Sequence, residues 1–215
     1  MAATGVFIDV DDSSIYKPYI ESLWWNKVSV GTSGTQPYVD LVFSPSSDIP
    51  NQQLLTFIVR ALVANLEPTL EKDGRAPDLY SDMPASSVYH PYVQKATKMG
   101  VNCGPDRETA PIDYGPGLIR AANCTTRAQM ATFVVRARRW TLFDPASATF
   151  YLDVPTTHKY YKYVETLHKY GVTAGTGPGL FSPDICIPRE QMAVFIVKGF
   201  ELQLDPRPGA PTGSG

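Results

Sequence analysis

Histidine and cysteine are scarce in this chain, three of each in 215 residues, and their spacing excludes most chemistry. His90, His158 and His168 stand at no interval that would serve a nucleophile or a metal ion. There is no Cys-x-x-Cys pair to suggest zinc and no Gly-x-Ser-x-Gly to suggest a serine nucleophile. The glycine-rich stretch Gly175-Thr176-Gly177-Pro178-Gly179 lacks the Lys-Ser/Thr ending of a phosphate loop and reads as a turn. Neither catalysis nor a cofactor is expected. Long apolar runs are missing too. The longest, such as Ala193 to Val197, fall far short of the ~20 residues that span a bilayer. Charge of one sign is also lacking: 19 Lys/Arg against 21 Asp/Glu argues against a protein that coats a nucleic-acid backbone. The first residues, Met1 to Gly5, carry neither the basic nor the apolar region of a secretory signal. An extracellular place is therefore expected only if a signal peptide was removed.

What the chain does have is enough apolar residues, 43%, to bury a core. Its charge is unevenly spread. Residues 1–64 carry 3 Lys/Arg against 6 Asp/Glu, whereas residues 82–140 carry 8 against 4, so the middle can attract an anion locally. The chain also repeats itself. Asp9-Val10, Asp82-Met83 and Asp153-Val154 are each followed, seven residues after the Asp, by a tyrosine-rich segment: Tyr16 to Glu21, Tyr89 to Gln94, Tyr160 to Glu165. The starts lie 73 and 71 residues apart. Each copy continues to a Val-x-x-Gly turn ending at Gly31, Gly104 or Gly175, and closes with Phe57-Ile58-Val59-Arg60, Phe133-Val134-Val135-Arg136 or Phe195-Ile196-Val197-Lys198.

Both apolar segments of each copy have helical period. Tyr16, Tyr19, Ile20, Leu23 and Trp24 form one stripe, and Met130, Phe133, Val134 and Ala137 another. Pro18 and Pro91 suit a first helical turn, and Gly100 and Gly171 suit the residue after a last one. Thr126-Arg127-Ala128-Gln129 predicts a capping box, and Pro50 and Pro188 hold the equivalent place in the other copies. A lone helix pair cannot hide its apolar stripes, but three can close around one core. The expected fold is all-α: three helix-loop-helix repeats in one body with pseudo-threefold symmetry. Its boundaries are 1–64, 80–140 and 150–204, with linkers 65–79 and 141–149 and a flexible Pro/Gly-rich tail at 205–215. The inward stripe is assigned to Tyr19, Ile20, Leu23, Phe57, Ile58, Val93, Phe133, Val134, Val164, Leu167, Phe195 and Ile196. Trp24 and Trp25 cannot both face inward, and Trp25 is expected at the surface.

Cys124 and Cys186 occupy the same repeat position, just before the second helix, and Cys103 precedes the turn glycine of the second copy. Because Cys103 and Cys124 bracket the long loop of that copy, a Cys103–Cys124 disulfide is expected, with Cys186 a buried thiol.

These motifs resemble the S-layer homology repeat. The third copy carries the resemblance best, with Tyr151-Leu152-Asp153-Val154-Pro155, Gly171-Val172-Thr173-Ala174-Gly175, Phe181-Ser182-Pro183-Asp184 and Pro188-Arg189-Glu190-Gln191-Met192. The resemblance implies a pseudo-trimer whose inter-repeat grooves hold a secondary cell-wall polysaccharide, often pyruvylated and so anionic. It also implies groove-lining roles for Arg127 and Arg189, for the turn glycines Gly104 and Gly175, and for Asp82 and Asp153 near the repeat starts. The first copy departs from the pattern, with Asn51 in place of the arginine, and offers no fixed cation.

A plainer reading stands beside each of these. The arginines can serve structural ion pairs or be solvated, the aspartates can tie loops, the glycines can supply positive φ, and the tyrosines can pack in the core. Two functions follow. One is a non-catalytic module that anchors to an acidic glycan of the cell wall or S-layer. The other is a protein-protein building block of a surface layer, virion or other assembly.

Overall fold

The computed structural model describes residues 5–32, 41–63, 80–102, 117–145 and 149–204. The expected linker 65–79, the tail 205–215, Gly104 and Cys103 lie outside the described residues. Six helices appear among the described residues: α1 (Lys17–Trp25), α2 (Asn51–Leu62), α3 (His90–Lys98), α4 (Arg127–Ala137), α5 (Tyr161–Lys169) and α6 (Arg189–Gly199). The described residues form no sheet, only isolated β-bridges. The all-α expectation is met.

Local chemistry sets the helix ends. Pro18 and Pro91 sit in the first turns of α1 and α3, where a missing N–H is harmless. After α3 and α5 the chain turns through Gly100 (φ 77°) and Gly171 (φ 70°). In each case the next valine returns its N–H to the last turn, Val101 to Ala96 O at 2.9 Å and Val172 to Leu167 O at 3.2 Å. After α1 the same left-handed place is filled by Lys27 (φ 58°), and Val28 bonds Leu23 O at 2.8 Å. The capping box of α4 is present, Thr126 and Gln129 each serving the other's backbone N–H.

Helices α2, α4 and α6 pack against one another, and each also takes a first helix from another pair: α3 on α2, α5 on α4, α1 on α6. Close approach of α6 to α4 needs Gly199, where a Cβ would meet Val134 Cγ1 at 2.7 Å. Of the twelve residues expected inward, eleven are buried, and Tyr19 is half-buried against the core. Trp24 packs edge-on to Phe7, whereas Trp25 is exposed.

Ahead of the second helices, three extended segments close a triangle. Ile49 N–H donates to Ile187 O, Ile187 N–H to Thr125 O, and Thr125 N–H to Ile49 O, at 2.9–3.2 Å. Each following helix start is held the same way: Asn51 N–H on Asn123 O, Arg127 N–H on Ile185 O, Arg189 N–H on Ser47 O. Donors that a helix leaves without an internal partner are thus satisfied by the neighbouring segment. The triangle also corrects the expected disulfide. Cys124 pairs with Cys186, their Cα atoms 5.7 Å apart, so Cys186 is not free and Cys103 is not the partner of Cys124. The physical reason is that equivalent positions of two segments meet in space although 62 residues separate them.

A buried carboxylate on α5 gives a pH-dependent prediction. Glu165 is fully buried, its Oε1 accepts Phe150 N–H at 3.0 Å, and its Oε2 has no hydrogen-bond partner among the described residues. Burial raises its pKa above the ordinary 4.5. The folded state then binds the proton more tightly than the unfolded one, so this group's contribution is greatest at low pH and is lost as pH rises through the folded pKa. Glu165→Gln, the residue type at the equivalent Gln94, is expected to raise stability at neutral pH. In thermal melts across pH, its advantage should shrink as pH falls toward 4.5.

Candidate ligand-binding cleft

Asp9 and Asp153 each hold a loop by its backbone. Asp153 accepts Phe181 N–H at 2.8 Å and Ser182 N–H at 2.7 Å, and Asp9 accepts Phe43 N–H at 2.8 Å and Ser44 N–H at 2.6 Å. Asp82 accepts Ile119 N–H at 3.0 Å. The loops pass through left-handed backbone at Ser44 (φ 61°), Arg120 (φ 47°) and Ser182 (φ 58°), which the paired N–H contacts help to hold at Ser44 and Ser182.

Each of these loops receives a side chain from the start of another helix. Arg127, at the first position of α4, donates Nε–H to Phe181 O at 2.7 Å and Nη1–H to Gln191 Oε1 at 2.6 Å. Arg189, at the first position of α6, donates to Phe43 O at 2.7 Å and to Gln53 Oε1 at 2.7 Å. The peptide Phe181–Ser182 therefore lies between a carboxylate at its N–H and a guanidinium at its C=O, and Phe43–Ser44 does likewise. Such placement lets a buried cation and its anion interact through an aligned dipole rather than touch. Each guanidinium also lies between two rings: Arg127 at 4.9 Å from Phe181 and 5.3 Å from Phe195, Arg189 at 4.7 Å from Phe43 and 5.4 Å from Phe57. Both arginines are only 2% exposed. Desolvation lowers both pKa values, that of Arg189 to about 10, which leaves Arg189 charged at neutral pH.

At the third position Asn51 is fully buried. Its Nδ2 donates to Ile119 O at 3.3 Å and Arg120 O at 3.1 Å, and its Oδ1 accepts Thr125 Oγ1–H at 2.7 Å. The loss of the cation is matched at its neighbours. Where the arginine-holding loops carry Phe43 and Phe181, this loop carries Ile119. Gln129, the counterpart of Gln53 and Gln191, has no guanidinium to receive and instead closes the capping box. The two arginine-bound glutamines belong to helices preceded by Pro50 and Pro188, which have no N–H for a capping box to satisfy.

Beside Arg127 opens a cleft of about 300 Å³, lined by Tyr16, Arg127, the turn Val172 to Thr176, Gln191, Val194, Phe195 and Lys198. Two cations, Arg127 and the exposed Lys198, face it, and no carboxylate lines it among the described residues. Gly175 lies in its wall at φ 90°, where a Cβ would meet Leu180 O at 2.3 Å, so no side chain fits there. The structure thus brings Arg127 and Gly175 together, with Asp153 one peptide behind. Arg189 makes the corresponding contacts to the Asp9-held loop, and Asp82 serves the loop contacted by Asn51.

The sequence motifs do not mark Lys198 and Tyr16 as cleft residues. A signal for Lys198 was present, since it shares a repeat position with Arg60 and Arg136, a cation at the end of every second helix. No curated protein matches the chain significantly. Residues 150–193, from the start of the third copy into α6, match the family model of the S-layer homology domain.

Proposed function

We propose that the chain is a non-catalytic cell-surface anchoring module of three S-layer homology repeats, 1–64, 80–140 and 150–204. In this reading they close with pseudo-threefold symmetry and hold an acidic secondary cell-wall polysaccharide between repeats. The family match over 150–193 supports the anchoring role. The recurrence of one hydrogen-bond scheme at Asp9, Asp82 and Asp153 supports the three repeats. The observation that carries the ligand class is the cleft that Arg127 and Lys198 both face, with no carboxylate among its described lining residues. A carboxylate or pyruvyl ketal entering it would meet two cations, with Tyr16 and the Gly175 turn as walls. Arg189, Gly104, Asp82 and Asp153 are assigned to the same grooves by their repeat positions.

Because Arg127 also holds a loop, Lys198 is the cleaner probe. Lys198→Glu should weaken retention on purified cell-wall material roughly ten- to hundredfold, the value of one charge-assisted contact, and leave the unfolding transition nearly unchanged. Wild-type retention should fall as salt rises. Full retention by folded Lys198→Glu would remove this cleft as the glycan site.

One observation favours the assembly reading. Ile8 and Leu152, and likewise Ile15 and Val88, are aliphatic residues at matched repeat positions that stand more than half exposed. Residues of this kind serve a protein partner better than a glycan. Concentration-dependent mass in solution, with no retention on walls, would support that reading.

A further inference from the structure

The triangle that closes the body also gathers three side chains of one kind of chemistry. Along each of its segments successive residues face opposite ways. Ile49, Thr125 and Ile187 point inward and are fully buried. The residues just before them, Asp48, Cys124 and Cys186, point the other way, with the two cysteines half-buried and Asp48 exposed. A carboxylate oxygen and two sulfurs, one from each segment, lie within 4.8 Å of one another. Cys124 and Cys186 are joined as a disulfide, which ties two of the segments and leaves the first untied.

We propose that, once this disulfide is reduced, Asp48, Cys124 and Cys186 form a site for a thiophilic divalent cation such as zinc. A dithiol reductant gives two electrons and two protons to the S–S bond and itself closes to a disulfide. The two thiols release both protons as the sulfurs bind the cation. Metal–sulfur bonds of about 2.3 Å at a tetrahedral centre set the sulfurs about 3.8 Å apart. The 5.7 Å Cα separation of the two cysteines accommodates that spread through side-chain rotation alone. Asp48 supplies the third ligand, at about 2.0–2.2 Å for a carboxylate on zinc. The exposed side at Asp48 leaves a fourth position for water. Three features favour a site over a chance grouping. The ligands come from equivalent positions. Their backbones are pinned by the reciprocal bonds of Ile49, Thr125 and Ile187. The Asp48 carboxylate has no hydrogen-bond or ion-pair partner among the described residues. Disulfide and metal are alternative staples of one place: the disulfide holds two segments, and the cation holds all three.

The test uses the full chain carrying Cys103→Ser, reduced with a dithiol, freed of reductant and titrated with Co²⁺ without oxygen. The expected result is one Co²⁺ per chain, with thiolate-to-metal charge transfer and the intense visible bands of tetrahedral cobalt, displaced by Zn²⁺. Zinc should also raise the melting temperature of the reduced protein and leave that of the oxidised protein unchanged. Asp48→Asn, a surface change that keeps both cysteines, should weaken Co²⁺ binding at least roughly tenfold, the least that even an outer-shell loss costs. Absence of thiolate bands in the reduced, folded protein would overturn the proposal. So would Co²⁺ affinity unaltered by Asp48→Asn, because the carboxylate would then not be a ligand.

Discussion

Arg189→Ala is expected to destabilise the protein by about 3–5 kcal/mol, the range for removing one member of a buried charged network. The side chain is 2% exposed and lies between Phe43 and Phe57. Its removal leaves Phe43 O and Gln53 Oε1 without their donor and opens a gap between the rings. It also takes the counter-charge from behind the peptide that Asp9 holds. The protein contains its own control, because the Asn51 position does without the cation and has Ile119 where a phenylalanine would stand. Arg189→Asn combined with Phe43→Ile should therefore cost less than the sum of the two single changes, by about 0.5–3 kcal/mol for residues in direct contact. Denaturant unfolding of the four proteins measures this. A loss under about 1 kcal/mol for Arg189→Ala would show that the buried guanidinium does not hold the loop.

Phe133→Ala is expected to cost about 3–5 kcal/mol as well, for a different reason. Phe133 is fully buried on α4, the helix that meets both α2 and α6. Its counterparts Phe57 and Phe195 each cover a guanidinium, but the cation missing at Asn51 leaves Phe133 with packing alone. Its truncation thus reports the hydrophobic contribution of this helix position without the cation–π part. The midpoint should move at unchanged denaturant slope if the fold survives. A loss under about 1 kcal/mol would mean that neighbouring side chains collapse into the space.

The two periodicities were legible because burial enforces them. The stripes through Ile20 and Leu23, or Phe133 and Val134, are apolar since those faces meet other helices, and eleven of twelve inward assignments follow. Tyr19 departs because a phenol on the stripe's edge can keep its hydroxyl near water. Gly31 (φ 86°) and Gly175 (φ 90°) have the positive φ expected of them, and at Gly175 backbone crowding leaves no room for a Cβ. What the residues could not convey was which segment meets which. The expected Cys103–Cys124 bond was measured along the chain, whereas the Cys124–Cys186 bond is decided between segments brought together by folding. The arginines were difficult in the same way. At a helix start a cation faces an unfavourable dipole, and the compensation lies on a distant segment, at Phe181 with Asp153 behind it for Arg127.

The pairing of α1 with α6 has a consequence for how the chain reaches this state. Arg189 must find Phe43 across 146 residues, and Ser22 must find Gln203 across 181. A chain emerging from the ribosome can dock α3 on α2 and α5 on α4 early, yet the face of α1 stays uncovered until α6 arrives. An uncovered α1 and an unplaced α6 are complementary, and the contact between them is the same whether both belong to one molecule or to two. Closure within one molecule gives a monomer, and the same contact made onward, from each copy to the next, gives a head-to-tail chain of exchanged helices. Refolding at high protein concentration should therefore favour exchanged oligomers, and dilution should favour the closed monomer.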